Sequence, residues 1–162
     1  MSNNVAITVS GAPDLWQATD WQRLWLATRT ESKRNWRSIA LVPAGPGVSP
    51  EILVQIAVTL AHTGMVHVGL PIHVADGTRV TLDQLVPFSE GLAEHMREQE
   101  MMVLALSALS ENVVSLPLAK AADCALLCVV LGEMSGEDAK KTVAQIGASH
   151  FIGSAVFRLP QK

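Results

Sequence analysis

Five short stretches of this chain are apolar along nearly their whole length and alternate with segments of helical spacing. They are Ser38–Val42 (SIALV), Met65–Leu70 (MVHVGL), Met101–Leu106 (MMVLAL), Cys124–Leu131 (CALLCVVL) and Phe151–Leu159 (FIGSAVFRL). A strand that is apolar at every position is buried on both faces. Parallel sheets covered by helices are the arrangement that buries strands in this way. The expected fold is therefore three-layer α/β/α, with a mostly parallel sheet of five to six strands. A chain of 162 residues suits one domain, read here as residues 1–162.

The segments between the strands carry their own signals. Glu51–His62 places Ile52, Leu53, Ile56, Ala57 and Leu60 at helical spacing, with Gly64 as the expected left-handed cap. Ser135 followed by Glu137 and Asp138 predicts a capped helix ending near Gly147. Helices are also expected over about 89–99 and 111–121, the second despite Pro117. Residues 1–13 read as an irregular lead-in, followed by a helical lead-in over about 14–37 with Asp14 or Asp20 as its cap. "PIHVADGTRV" reads as a loop with a turn at Asp76-Gly77.

Val42–Gly64 (VPAGPGVSPEILVQIAVTLAHTG) has the outline of a phosphate-binding loop: apolar strand, Gly/Pro turn, amphipathic helix. Such a loop cradles phosphates with backbone N–H groups, spreads a lysine charge over them and holds magnesium through a Ser/Thr hydroxyl. Gly45, Pro46 and Gly47 keep the turn, but Val48 or Ser49 stands in place of the lysine. Ser49 retains a hydroxyl, and Pro50 removes a backbone donor.

A net charge of −3 gives no electrostatic case for nucleic acid. No apolar run reaches the roughly 18 residues of a membrane span, and the N-terminus lacks a signal-peptide pattern. A cytoplasmic chain is expected. Cys124 and Cys128 sit in an apolar stretch at C-x3-C spacing and read as buried free thiols. The five histidines show no metal-ligand spacing, and His73 draws interest only through its expected place near the site mouth. No metal site and no nucleophile elbow is predicted. Arg29, Lys33, Arg34 and Arg37 read as a solvated connector. All four tryptophans precede residue 40. Trp21 and Trp25, with Arg23, are candidates for an interface.

Two segments carry a resemblance. "WQRLWLATRTESKRNWRSIALVPAGPGVSPEILVQIAVTLAHTG" resembles the start of the cytoplasmic kinase domain of bacterial tyrosine kinases, which belong with the MinD/ParA-like P-loop ATPases. "AADCALLCVVLGEMSGEDAKKTVAQIGASHFIGSAVF" resembles that family's late strand, helix and closing strand. The likeness covers about residues 20–158 and implies a P-loop NTPase-like fold. It also implies three charged stations, and each reads as lost. The loop lysine is absent. The acidic motif after the second strand falls at Gly69, in "VGLPIH", with Asp76 a few residues on. The Walker B aspartate falls at Ala105, with Ser107 and Ala108 in place of prolines. The chain also contains no tyrosine.

Catalytic residues are accordingly expected to be none, and cofactors none beyond weak anion or nucleotide binding at residues 45–49. The resemblance implies a scaffold or regulatory partner in exopolysaccharide biosynthesis or export. Its expected partner is a protein, such as a membrane-bound polysaccharide chain-length regulator, met at the inner face of the membrane, with homo-oligomerisation a further expectation. The competing readings are an atypical nucleotide-binding ATPase or kinase with a divergent loop, and a bare dimerising module.

Overall fold

In the computed structural model, which describes residues 4–8, 19–31, 34–97, 100–132 and 134–158, six strands form one sheet. The strands are β1 (Asn4–Thr8), β2 (Ser38–Pro43), β3 (Ile72–Asp76), β4 (Met101–Ala105), β5 (Cys124–Val130) and β6 (Phe151–Arg158). Their order is β1-β6-β5-β2-β4-β3, and every pairing is parallel. The helices are α1 (Thr19–Leu26), α2 (Pro50–Val68), α3 (Leu85–Arg97), α4 (Ser115–Ala121) and α5 (Gly136–Ile146). The three-layer α/β/α expectation holds. β2 lies centrally between β4 and β5, as its run of apolar residues after Ser38 requires.

Alternate residues of β2 feed two cores. Ile39 and Leu41 pack with α1 and α2 on one face, and Ala40 and Val42 with α3, α4 and α5 on the other. The connections β1–β2 and β2–β3 run one way along the sheet and carry α1 and α2. The remaining three run the other way and carry α3, α4 and α5. Opposite directions on opposite faces keep every crossover the same hand, which parallel sheets demand.

Several boundaries differ from the sequence-based expectation. Residues 4–8, read as irregular, form β1 and pair with β6. Met65–Val68, read as the start of a strand, is the last turn of α2. That helix runs through Gly64 and is capped instead at Gly69, whose φ of 71° is the left-handed conformation. The strand lies beyond it, at Ile72–Asp76, inside the segment read as a loop. α1 covers Thr19–Leu26 and continues as a wider π-type turn over Ala27–Glu31. Asp20 stands in its first turn, whereas Asp14 and Trp16 lie outside the described residues.

The three described tryptophans are core. Trp21, Trp25 and Trp36 are all 2% exposed or less, which removes the support for an interface at Trp21 and Trp25. Trp21 leans on Phe157 of β6, with ring centroids 5.9 Å apart. Trp25 meets Trp36 edge-on at 5.7 Å, and the Trp36 indole N–H donates to the Thr28 carbonyl at 2.9 Å. Arg23 is exposed and pairs with Asp20. The basic connector is not simply solvated. Arg29 stacks over Trp36 and donates to its carbonyl, while Arg34 donates to the Ser149 and His150 carbonyls. Both cysteines are buried free thiols, pushed up to about 12 by that burial.

Among the described residues, one helix, α2, is long and apolar enough to cross a membrane. Its Leu53, Ile56, Leu60 and Gly64 are buried, the environment of a core helix.

Candidate functional site

In an open parallel sheet, ligands bind beyond the carboxyl ends of the strands, where neighbouring connections leave in opposite directions. Here that place is beside β2: α2 departs on one face, and the connection from β4 to β5 crosses on the other. The loop Ala44–Ser49 sits at this point, as the glycine-rich turn predicts.

The loop is tied to the body of the protein at several points. The Ala44 N–H donates to the Cys128 carbonyl at 2.8 Å, and the Ala44 carbonyl accepts from the Thr142 hydroxyl at 2.9 Å. Gly45 lies against Asp138 so closely that an added Cβ would stand 3.0 Å from that side chain. Gly47 has φ 106°, which only glycine adopts without strain. Val48 is 6% exposed and belongs to the core shared by α1 and α2. Ser49 caps α2, its hydroxyl oxygen accepting from the Ile52 N–H at 3.4 Å, and Pro50 occupies the first helical turn. A lysine at Val48 would have to abandon the core, and one at Ser49 would remove the cap.

The donors that would face a phosphate already face carboxylates. Glu111, from the loop after β4, accepts from the Gly47 N–H at 3.2 Å. Glu51 lies in the first turn of α2 and forms an ion pair with Arg79. Its own backbone N–H, and then Arg79, hold the Glu51 carboxyl below its ordinary pKa. The loops around the site are also tied together. The Ser107 hydroxyl donates to the Thr78 carbonyl at 2.8 Å, and the Asn112 amide to the Val80 carbonyl at 3.0 Å. Glu111→Ala should cost about 1 kcal/mol of stability, the usual worth of one hydrogen bond. Faster amide exchange at Gly47 is expected with it, and unchanged exchange there would show that the contact holds nothing.

The acidic stations are distributed differently from expectation. Gly69 is a helix cap and no strand-end position. The second core strand ends instead at Asp76, in register with Ala105. A carboxylate therefore does stand at that strand end. It is engaged in a local turn, accepting from the Thr78 N–H at 2.9 Å and from the Thr78 hydroxyl. Ala105 ends β4 beside Leu41 of β2 and is 0% exposed, so a methyl group stands where the resemblance led one to expect a Walker B aspartate. His73 lies near the opposite end of β3, paired with Glu100, and takes no part.

Between the loop and α5 is a cleft of about 120 Å³, lined among others by Gly45, Pro46, Ser110, Asp138, Lys141 and Gln145. Ligand pockets commonly measure about 300–1,000 Å³, so this cleft is small by comparison and encloses room for a small polar group. Among the described residues, no group of His, Cys, Asp or Glu could hold a metal ion. Glu111, Arg79, Asp138, Lys141 and Thr142 were not singled out as site residues from the sequence. They come from three other segments, and no local motif marks them. No protein-family model and no curated protein matches the chain.

Proposed function

We propose that the chain is a non-catalytic relative of the bacterial tyrosine-kinase and MinD/ParA-like domains. It acts as a scaffold or regulatory partner in exopolysaccharide biosynthesis or export, engaging a protein such as a membrane-bound chain-length regulator. The observation that carries the non-catalytic reading is the Glu111 carboxylate on the Gly47 N–H. A phosphate arriving at the loop would meet a fixed negative charge instead of a lysine. Ala105 adds no ligand for the magnesium that would otherwise offset that charge. The pathway and the partner rest on the resemblance.

The test is calorimetric titration with Mg-ATP and Mg-GTP beside a phosphate-release assay. A helix N-terminus favours an exposed anion by about 0.3–1 kcal/mol, whereas micromolar affinity needs about 8 kcal/mol. No binding below millimolar concentration and no release above background is expected. A low-micromolar dissociation constant would establish the second reading, an atypical nucleotide-binding protein. That reading draws on Asp76 at the end of β3 and Lys141 in the cleft.

A further inference from the structure

The face of the sheet that carries α3, α4 and α5 is incompletely covered. α3 packs on β4, and α4 packs on β2 and β5. Between the two helices a cleft of about 110 Å³ remains, with Met102 and Leu104 in its floor, Ser89, Leu92 and Ala93 in one wall and Ala121 in the other. That is room for one apolar side chain, since a dry cavity of about 150 Å³ takes benzene. Along α3, Leu85, Phe88 and Leu92 face the core. Val86, Ser89 and Ala93 follow one another at i+3 and i+4, so they share the flank turned to the cleft. Leu82 lies one turn before Val86.

The apolar strip continues past the cleft. Leu82, Val86 and Val113 are 68%, 65% and 71% exposed. The Asn112 amide on the Val80 carbonyl ties the segment before α4 to the segment before α3. The α3 side of the strip is acidic. Asp83, Glu90 and Glu94 are exposed, and segment 82–97 carries those three carboxylates against one arginine. On α4, Lys120 stands exposed at the far end of the other wall.

We infer that the α3–α4 groove docks a basic amphipathic segment of a protein partner. Its apolar side chains lie along Leu82, Val86 and Ala93, and its lysines or arginines face Asp83, Glu90 and Glu94. The carboxylates select this occupant, because they would repel an anionic bilayer and an acidic peptide alike. The cleft's lining includes no residue of the loop at Ala44–Ser49, so the inference does not depend on whether that loop binds nucleotide.

The probe is a fluorescein-labelled helical peptide of about 14 residues, with leucines at i, i+4, i+7 and i+11 and lysines elsewhere. A second peptide carries glutamates in place of the lysines. Anisotropy titration should show the lysine peptide binding and the glutamate peptide not. Ala93→Trp fills the cleft without changing charge and should weaken the lysine peptide by about tenfold or more. Glu90→Lys with Glu94→Lys should weaken it similarly and admit the glutamate peptide. Circular dichroism checks that the variants fold, and the uncharged Val86→Gln serves if Ala93→Trp does not. Equal binding by Ala93→Trp would overturn the proposal, because attraction to surface charge would then be the whole effect. Self-association that Ala93→Trp abolishes would overturn it in favour of a second copy. Stronger capture by anionic vesicles than by the peptide would overturn it in favour of a membrane.

Discussion

Truncating Trp25 to alanine is expected to cost about 3–5 kcal/mol, as loss of a fully buried indole does. The same substitution should reverse the effect of a second one. Gly64 lies inside α2, where glycine is about 1 kcal/mol worse than alanine by propensity alone. Yet a Cβ there would stand 2.5 Å from the Trp25 ring and 2.6 Å from the tip of Ile72. The Ile72 tip can turn away, whereas Trp25 is pinned edge-on against Trp36. Overpacking of this kind costs about 1–3 kcal/mol. Gly64→Ala is therefore expected to destabilise the native protein by about 1–2 kcal/mol and to stabilise the Trp25→Ala variant by about 1 kcal/mol. Urea denaturation of the four proteins in this cycle measures the coupling. Additive losses would mean that α1 and α2 do not meet through these residues.

The Trp25–Gly64 contact also explains the largest error in reading α2. Glycine at the end of an apolar periodic run is ordinarily a helix cap, and Gly64 looks like one. Its actual constraint is the approach of α1, a tertiary fact that no local pattern reports. Once the helix is ended too soon, "MVHV" reads as a strand. The true strand, "IHVAD", then reads as a loop because its last residue forms the turn signal Asp76-Gly77. The central strands were legible because burial on both faces leaves them no polar positions. β3 was not, because it is an edge strand with only β4 beside it, and His73 and Asp76 are admitted at its margins. The candidate site divides in the same way. The turn at Gly45–Gly47 is local and was read directly, whereas Ser49 was read for its hydroxyl and turns out to use it in capping α2. Glu111 and Asp138 reach the loop from 64 residues further on and from α5, and only the folded chain brings them together.

Ala105 tests whether the proposed relation to nucleotide-binding domains leaves room for a magnesium ligand at the end of β4. Ala105→Asp is expected to destabilise the protein by about 3–5 kcal/mol at neutral pH and to restore no magnesium or nucleotide binding, because the new carboxylate would be buried and unpaired. Ala105 is 0% exposed and belongs to the core shared by α1 and α2. Its neighbours in register are Leu41 and Asp76, and the second of these would add like-charge repulsion. Both effects raise the folded-state pKa above the unfolded value of about 3.9. The native state of the variant then binds more protons than the unfolded state between those two values. Its stability should fall as pH rises through that interval and level off above it. Below about pH 4 the carboxyl is protonated in both states, and the variant should lie closest to the native protein. Denaturant midpoints of both proteins across this range test the sign. A penalty that does not depend on pH would mean that the aspartate escapes to solvent. Micromolar Mg-ATP binding by Ala105→Asp would mean that the site had kept its shape and lacked only this charge.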